Sequence, residues 1–456
     1  MALNRVLGRW DLVLLFVVAI TNLNVVPVVA AGGPASLWLW LLALVLFFWP
    51  QGISVIELSQ RYPGEGGIYL WTREELGPLH GFLSGWCYWT NNIFYVPTVL
   101  FYLVGVSVFV LGPEARGLAD NKAYLFGMSV GLLWVLTAVN VVGLGVGKWV
   151  NNLGGIGTAI ACLALMGLGL AAGEGRNLSL EHLRFERLDL HLVSSFGVVC
   201  FALVGLELAS VMGDEIREPR RTLPGAVLWG GILSGVLYVG ATLAILISVP
   251  QQDIGVLNGV MQAIEKMAQA ARVPWVVAPL AFVLTVSIVG IASAWFAGSA
   301  RIPFVAGIDH YLPPALGQVH PRFGTPHVAL LVQAVLSTLI IGMSFVGASV
   351  KEAFVTLLDL AVVLQLVPYL YVYAILIRFA RAQAPAPAFF AKPTLGRAGW
   401  VGLATTLVGM VVAFVPSRQI DSIWAFETKL VLGCASFLGL AVLFYWRGSA
   451  ATAKTP

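Results

Sequence analysis

Leu192 to Arg217 reads LVSSFGVVCFALVGLELASVMGDEIR, a membrane-length segment interrupted in its own middle. Leu192 to Val204 is almost wholly apolar, Gly205, Leu206 and Glu207 follow, and Leu208 to Gly213 is largely apolar again. An ionised acid at that depth costs roughly 2.5–3.5 kcal/mol even on a lenient insertion scale, so it faces a polar cavity or a partner. Glu207 is therefore either satisfied by neighbouring helices or a functional acid. Intramembrane acids are functional sites by default, and the glycine two residues earlier loosens the backbone there.

Composition sets the class. With 59% hydrophobic and only 11% charged residues among 456, the chain lies far from soluble domains, in which about a quarter of residues are charged. It reads as an integral membrane protein. The net charge of +4 resides in short loops between apolar runs, so membrane topology accounts for it and no nucleic acid is implied. Cys87, Cys162, Cys200 and Cys434 fall inside apolar runs at wide spacings and read as small buried hydrophobes rather than metal ligands or a disulfide framework. His80, His182, His191, His310, His320 and His327 sit at loops or helix ends, and Gly154 and Gly155 lie in an apolar run without a following lysine, so neither a metal motif nor a phosphate loop points to an enzyme. Arg5 and Arg9 followed by Leu12 to Ile20 resemble a secretory signal, but Thr21, Asn22, Leu23 and Asn24 interrupt it and many spans follow, which makes it a first transmembrane helix.

Runs of about 20 residues, enough to cross a hydrocarbon core of roughly 30 Å, fall near 11–33, 35–58, 81–111, 123–143, 149–172 and 192–217, then 224–249, 275–300, 326–347, 353–378, 399–416 and 426–446. These twelve spans make an all-α polytopic membrane domain covering 1–456. An even number puts both termini on one side, and sixteen of the 26 basic residues fall on that side, which makes it cytoplasmic by the positive-inside bias. Two spans are broken. The first is interrupted at Thr21 to Val26, with Pro27 suited to the first position of a second short helix, and the sixth at Val204 to Glu207. The breaks are five spans apart, as in a five-helix unit (11–172) repeated in inverted topology (192–378), with 399–446 supplying two peripheral helices. Interrupted helices at matching positions of two halves point to a transport site; two unrelated kinks are the alternative. In the connection 251–274, Val256, Val260, Met261, Ile264 and Met267 share one helical face, predicting a short amphipathic helix that acts as a lid or rests on the bundle.

Three stretches carry a family resemblance. Glu57 with Arg61, Tyr62, Pro63, Gly64, Glu65, Gly66, Gly67, Ile68 and Tyr69 is one. Glu215, Ile216, Arg217, Glu218, Pro219, Arg220, Arg221, Thr222, Leu223 and Pro224 is the second; Asp309 to Pro313 followed by His320 to Pro326 is the third. Together they resemble the amino acid, polyamine and organocation permeases. As physical objects they are turns, with Gly and Pro setting geometry and Arg on the positive face.

The resemblance implies the LeuT-type five-plus-five inverted repeat with discontinuous first and sixth helices. It also implies a substrate held at mid-membrane between those helices and lined by the third, eighth and tenth. Unwound backbone and half-helix ends suit an α-carboxylate or an ammonium group. On the positions that match arginine/agmatine-type exchangers, Phe201 falls on a gating aromatic, Glu207 on an acid two residues after the sixth-helix glycine, and Trp295 on an eighth-helix tryptophan. Leu366 to Tyr371 matches the same subgroup. The implied substrate-binding set is Thr21, Asn22, Asn24, Val25, Asn91, Tyr95, Phe201, Gly205, Glu207, Trp295 and Asp359. Two departures stand out. The first-helix break is Thr21, Asn22, Leu23, Asn24 instead of a Gly-x-Gly run, although asparagine tolerates left-handed geometry; and Thr158 stands where some proton-coupled relatives carry a lysine.

Besides Glu207, Asp359 is the one acid well inside a span. Asn91, Asn92, Tyr95 and Pro97 in the third span somewhat resemble the polyamine-uptake branch. Two carboxylates among amides suit a cation, and also proton coupling. The expectation is a secondary transporter of an amino acid or related amine in the cytoplasmic membrane. Glu207 handles substrate or a proton, and Glu207, Asp359 and Thr158 are the coupling candidates. No cofactor is expected beyond a coupling H+ or Na+; the partners are the small-molecule substrate and the lipid bilayer. The loop between the third and fourth spans lacks cysteine, so no disulfide-linked partner is expected there. The alternatives are a polyamine uptake permease, and a non-transporting receptor or structural subunit on the same fold.

Overall fold

Segments this apolar must satisfy their backbone groups internally, which leaves helices as the available element. The computed structural model describes residues 7–64, 66–171, 190–211, 216–344, 349–381, 389–416 and 422–452. Among the described residues there is no strand, only an isolated bridge between Leu7 and Ile216. Glu65 and Glu215 of the recognised motifs, and residues 212–215 of the sixth apolar run, lie outside the described residues.

Ten of the described helices are long and apolar enough to cross a membrane. The first apolar run divides into α1 (Arg9–Ile20) and α2 (Val26–Ala30). The second comprises α3 (Ser36–Ala43) and α4 (Trp49–Arg61), joined through a π-helical turn at Leu44–Phe48, and is followed by the short α5 (Ile68–Leu76). Then come α6 (Pro78–Leu111), α7 (Lys122–Val142) and α8 (Leu144–Ala171). The sixth run divides into α9 (Leu190–Ala202) and α10 (Leu208–Val211). After these come α11 (Pro219–Ser248), the amphipathic α12 (Gly259–Ala270), α13 (Val277–Ser299) and α14 (Arg301–Ile308). The chain continues through α15 (His327–Ser344), α16 (Val350–Arg381), α17 (Lys392–Val412) and α18 (Ile423–Thr452).

Burial orders the bundle. The apolar windows of α6 and α16 are 89% and 78% buried against 17% for α18, so the first two are central and α18 is peripheral. Between them, α13 packs on α6 and α8, and α1 on α8 and α11. Glycines let α8 approach its neighbours closely: a Cβ on Gly154 would lie 2.6 Å from the Gly290 Cα, and one on Gly155 2.7 Å from the Leu14 carbonyl oxygen. The predicted helix in 251–274 is α12, which buries Val260, Met261, Ile264 and Met267 against the bundle. Pro27 occupies the second position of α2 instead of the first, because Val26 already takes helical geometry.

The three motif stretches meet on the face that carries the N-terminus. Gly66 N–H donates to the Val211 carbonyl at 3.0 Å, tying the turn before α5 to the end of α10. Arg217 N–H donates to Leu7 at 2.9 Å. Tyr69 donates to the Asp309 carboxylate at 2.5 Å, and Arg73 pairs with the same group. Tyr62 donates to Glu75, and Arg378 to the Glu75 carbonyl. Burial and the Glu75 carboxylate push the Tyr62 hydroxyl up to about 12, and burial with the Asp309 bond raises Tyr69 as well. Both therefore stay neutral donors through the physiological range.

Gly67 has φ 42°, and a Cβ there would lie 2.8 Å from Val211 N. Gly77 has φ 95° with nothing within 4 Å. Gly77→Ala therefore carries only the backbone cost of about 1–2 kcal/mol, whereas Gly67→Ala adds a backbone overlap. Thermal unfolding of the detergent-solubilised protein is expected to show the larger drop for Gly67→Ala; equal drops would mean that α10 is not held at that distance.

Candidate functional site

The site grows from the two helix breaks. Asn22 ends α1 by turning its amide back on the helix, donating to the Ala19 carbonyl at 2.8 Å and to that of Ile20 at 3.3 Å. Asparagine competes with the helical ladder in this way. In the sixth run α9 stops at Ala202, and Gly205 takes φ 138°, a conformation that disfavours a side chain. A Cβ at Gly205 would sit 3.1 Å from Ile20 Cγ1 and 3.2 Å from the Ala19 carbonyl carbon. The two breaks thus touch backbone to backbone.

A helix end leaves carbonyls without partners, and here side chains from other helices meet them. The Tyr238 hydroxyl, from α11, donates to the Ile20 carbonyl and lies 2.9 Å from that of Ala202, so it reaches the last residue of both half-helices. It also accepts from Asn22 N–H at 2.8 Å. Trp40 stacks on the Tyr238 ring with centroids 4.3 Å apart and holds it in place. Trp295 Nε1 donates to Ala19 at 3.0 Å, and Thr21 to Ser234 at 2.9 Å.

Glu207 is fully buried and surrounded by donors. Its Oε2 accepts from Gly205 N–H at 3.0 Å, Gln51 Nε2 at 3.1 Å and the Tyr369 hydroxyl; Oε1 accepts from Gln365 Nε2 at 3.4 Å. Gln51 also donates to the Tyr369 hydroxyl at 2.5 Å, and Asn91 donates to Gln365 Oε1. The carboxylate therefore joins the sixth-run break to α4, α16 and, through Gln365, α6.

Beside this network stands an aromatic cluster. Tyr95 packs edge-on against Phe201 at 5.0 Å and Trp295 at 5.9 Å, with Tyr88 6.4 Å from Trp295. Among the described residues the side-chain oxygens of Asn22 and Asn91 are buried without a hydrogen-bond partner, while the buried Tyr88 hydroxyl neighbours Glu207 and the Tyr95 hydroxyl neighbours Asn24. Buried polar groups are normally paired, so such a cluster is what a polar ligand would satisfy.

The structure brings together Thr21, Asn22, Asn24, Asn91, Tyr95, Phe201, Gly205, Glu207 and Trp295, with Val25 buried at the start of α2. It sets two residues apart. Asp359 is buried in α16 and makes no side-chain hydrogen bond or ion pair among the described residues. It precedes Gln365 by about 9 Å of helix rise, so it does not join the Glu207 network. Thr158 donates to the Gly154 carbonyl at 2.9 Å and lies 2.5 Å from the Ser287 hydroxyl of α13. Gln51, Tyr88, Tyr238, Ser287 and Gln365 escaped the sequence reading, and Tyr369 entered it only within the stretch Leu366 to Tyr371, with no role given. The available signal was an amide or hydroxyl inside an apolar run, as informative as an acid once its desolvation is counted.

A membrane-embedded helical bundle with two broken helices crossing at a buried polar cluster has the architecture of a transporter. The model of the amino acid permease family matches residues 1–435, and the chain belongs to that family, within the amino acid, polyamine and organocation superfamily. It is 28% identical over 452 residues to an uncharacterised transporter of Legionella pneumophila, covering 97% of each chain. It is 24% identical to a probable agmatine/putrescine antiporter of Lactococcus lactis, covering 79% of this chain and 76% of the relative. To the cadaverine/lysine antiporter of Escherichia coli it is 25% identical, covering 77% and 78%. The family is one of transporters, not enzymes.

Removing the Tyr238 hydroxyl leaves buried groups at both breaks short of a partner, at a cost of about 1–3 kcal/mol. Tyr238→Phe is expected to lower the unfolding temperature more than Tyr373→Phe, whose hydroxyl reaches only the Phe47 carbonyl at 3.3 Å. A Tyr238→Phe protein as stable as wild type would mean the breaks are held otherwise.

Proposed function

We propose that the protein is a secondary active transporter that moves an amino acid or related amine by alternating access, with the substrate held between the two helix breaks. The observation that carries this reading is the gathering of buried polar side chains, Asn22, Asn24, Asn91, Tyr88 and Tyr95, around the buried Glu207 at the helix breaks, with the Asn22 and Asn91 oxygens unpartnered among the described residues. The fold reading goes with it: twelve spans, the first and sixth each completed across its break, with 11–172 and 192–378 as inverted five-helix repeats, 399–446 peripheral and both termini cytoplasmic. The five-span spacing of the breaks and their backbone contact support it.

A cationic amine suits the site better than an anionic solute. Among the described residues, the side chains hydrogen-bonded to Glu207 are amides and a phenol, with no Lys or Arg. An ammonium group would take the place of some of these neutral donors and form a stronger, charge-assisted bond. The relatives named as agmatine/putrescine and cadaverine/lysine antiporters make exchange of one amine for another the first coupling mode to test. In a proton-coupled cycle Glu207 would take the proton. Thr158 with Ser287 offers two hydroxyl oxygens and no fixed charge, a pairing that suits Na+ more than an ammonium in the protein. Asp359, isolated in α16, would act on a cation along the path and not in the Glu207 network. A polyamine uptake permease shares all these features and differs in the sign of net flux.

The test begins with thermal-shift measurements on the purified protein with agmatine, putrescine, cadaverine and lysine. At least one is expected to stabilise it; stabilisation by none at any pH would count against the amine assignment. For that ligand, Glu207→Gln in proteoliposomes is expected to weaken half-saturation of exchange by about 10- to 100-fold, the worth of a hydrogen bond to a charged group. Unchanged half-saturation with an unchanged pH profile would remove Glu207 from the mechanism.

A further inference from the structure

One hollow lies outside the polar cluster and backs onto the sixth-run break through Leu206. It is a groove of about 810 Å³ on the outside of the bundle, between α3–α4 and α11, floored by Gly52 and Leu206, with Phe390 and Thr394 also on its lining. Along α3–α4 it runs from Leu41 to Ile56, about 22 Å at 1.5 Å per residue, most of the roughly 30 Å hydrocarbon depth. Its wall on α11 is apolar, with Leu228, Ile232 and Val236 more than half exposed.

The mouth of the groove on the N-terminal face is cationic. Arg221, Gly225, Leu228, Ile232 and Val236 recur at three or four residues, so they form one stripe of α11. That stripe begins with a guanidinium and continues into the groove. The Arg221 side chain is 87% exposed, and among the described residues its one ion pair is with the exposed Glu218 at 3.7 Å, a contact worth little. Arg9 lies over Gly225, its Nη2 3.5 Å from where a Cβ would be. It is exposed and has no ion-pair partner among the described residues. The neighbouring Trp10 is 76% exposed, as residues at a bilayer interface are. Two guanidinium groups at the rim of a long apolar trough match a phosphate ester carrying hydrocarbon chains.

We propose that this groove is a binding site for an anionic diacyl phospholipid, with the headgroup phosphate between Arg9 and Arg221 and one acyl chain along α11. The occupant would touch the transport machinery from outside. Gly52 follows Gln51, and Leu206 lies between Gly205 and Glu207, so a chain pressed on the floor bears on the residues that hold the Glu207 carboxylate. The inference does not depend on the substrate or on the coupling mode.

Native mass spectrometry of the delipidated full-length protein, titrated with phosphatidylglycerol and with phosphatidylcholine of the same chains, tests it. Two arginines at a membrane surface are expected to favour phosphatidylglycerol by about 10- to 30-fold for one bound lipid. Soluble glycerol 3-phosphate should not compete, because it lacks the chains. R9Q/R221Q should abolish the preference and R9K/R221K should keep most of it; both residues are exposed, so folding is not at issue. Gly52→Leu, whose Cβ meets nothing closer than 3.7 Å, should fill the floor and remove one lipid of either headgroup. Equal retention of the two lipids by the wild type, or a preference untouched by R9Q/R221Q, overturns the proposal. So does a lipid-free dimer that Gly52→Leu splits, which would assign the groove to a second copy of the chain.

Discussion

An unwound helix inside a bilayer exposes N–H and C=O groups where no water can reach them, and each one left unpaired costs several kcal/mol. This chain meets that constraint by placing its two unwound stretches against each other. Gly205 lies on the Ala19–Ile20 backbone, Tyr238 reaches the terminal carbonyls of α1 and α9, and Trp295 with Asn22 takes the Ala19 carbonyl. The breaks therefore share packing and one hydroxyl partner. A displacement of α1 relative to α9 has to exchange these partners for new ones, which makes the crossing a natural place for two discrete arrangements instead of a soft hinge.

Glu207 extends the same logic outward. Its partners come from α4 and α16, helices that do not unwind, and its carboxylate also accepts the Gly205 N–H two residues before it. One group therefore reports on the local turn of the break and on the position of two rigid helices. Among the described residues its donors are neutral, so these bonds orient the carboxyl group without supplying a counter-charge. A cation arriving at the network has a favourable term that its present partners do not supply.

Much of this was legible in residue order. Apolar run length located the spans. Thr21 to Val26 and Val204 to Glu207 stood out because polar or glycine residues interrupt otherwise apolar segments. Phe201, Tyr95 and Trp295, placed by resemblance, do form one cluster. Gln51, Gln365 and Tyr238 were not legible as site residues: each is a single polar group in a long apolar run, and a lone tyrosine in a span reads equally as core or interface. What distinguishes them is the rotation of their helices about the breaks, which depends on packing across α4, α11 and α16. Asp359 shows the converse. It has the same chemistry as Glu207 in the sequence, and its place along α16 keeps it out of the network.

The polar ties are distributed unequally between the two faces. On the N-terminal face the backbone bond from Gly66 to Val211, the Leu7–Ile216 bridge, the Tyr69–Asp309–Arg73 cluster and the Tyr62–Glu75 contact all cross between elements that flank the breaks. Glu57, fully buried, adds bonds from the Phe389 and Phe390 N–H groups at 2.9 and 3.0 Å. On the opposite face, a polar hollow of about 470 Å³ lined by Gln251, Gln252 and Lys351 lies beside the end of α2, where Gln251 Nε2 donates to the Ala31 carbonyl at 3.0 Å. Hydrogen bonds to charged groups contribute about 1.5–3 kcal/mol each when shielded from water and far less when exposed. The buried Glu57 and half-buried Tyr69–Asp309 contacts are therefore the strongest of these polar ties. On the opposite face Arg116 pairs with Glu265 of α12 and Lys429 with Glu352 of α16, beside the apolar packing of α12. The three motif stretches thus supply much of the polar contact between elements on the N-terminal face.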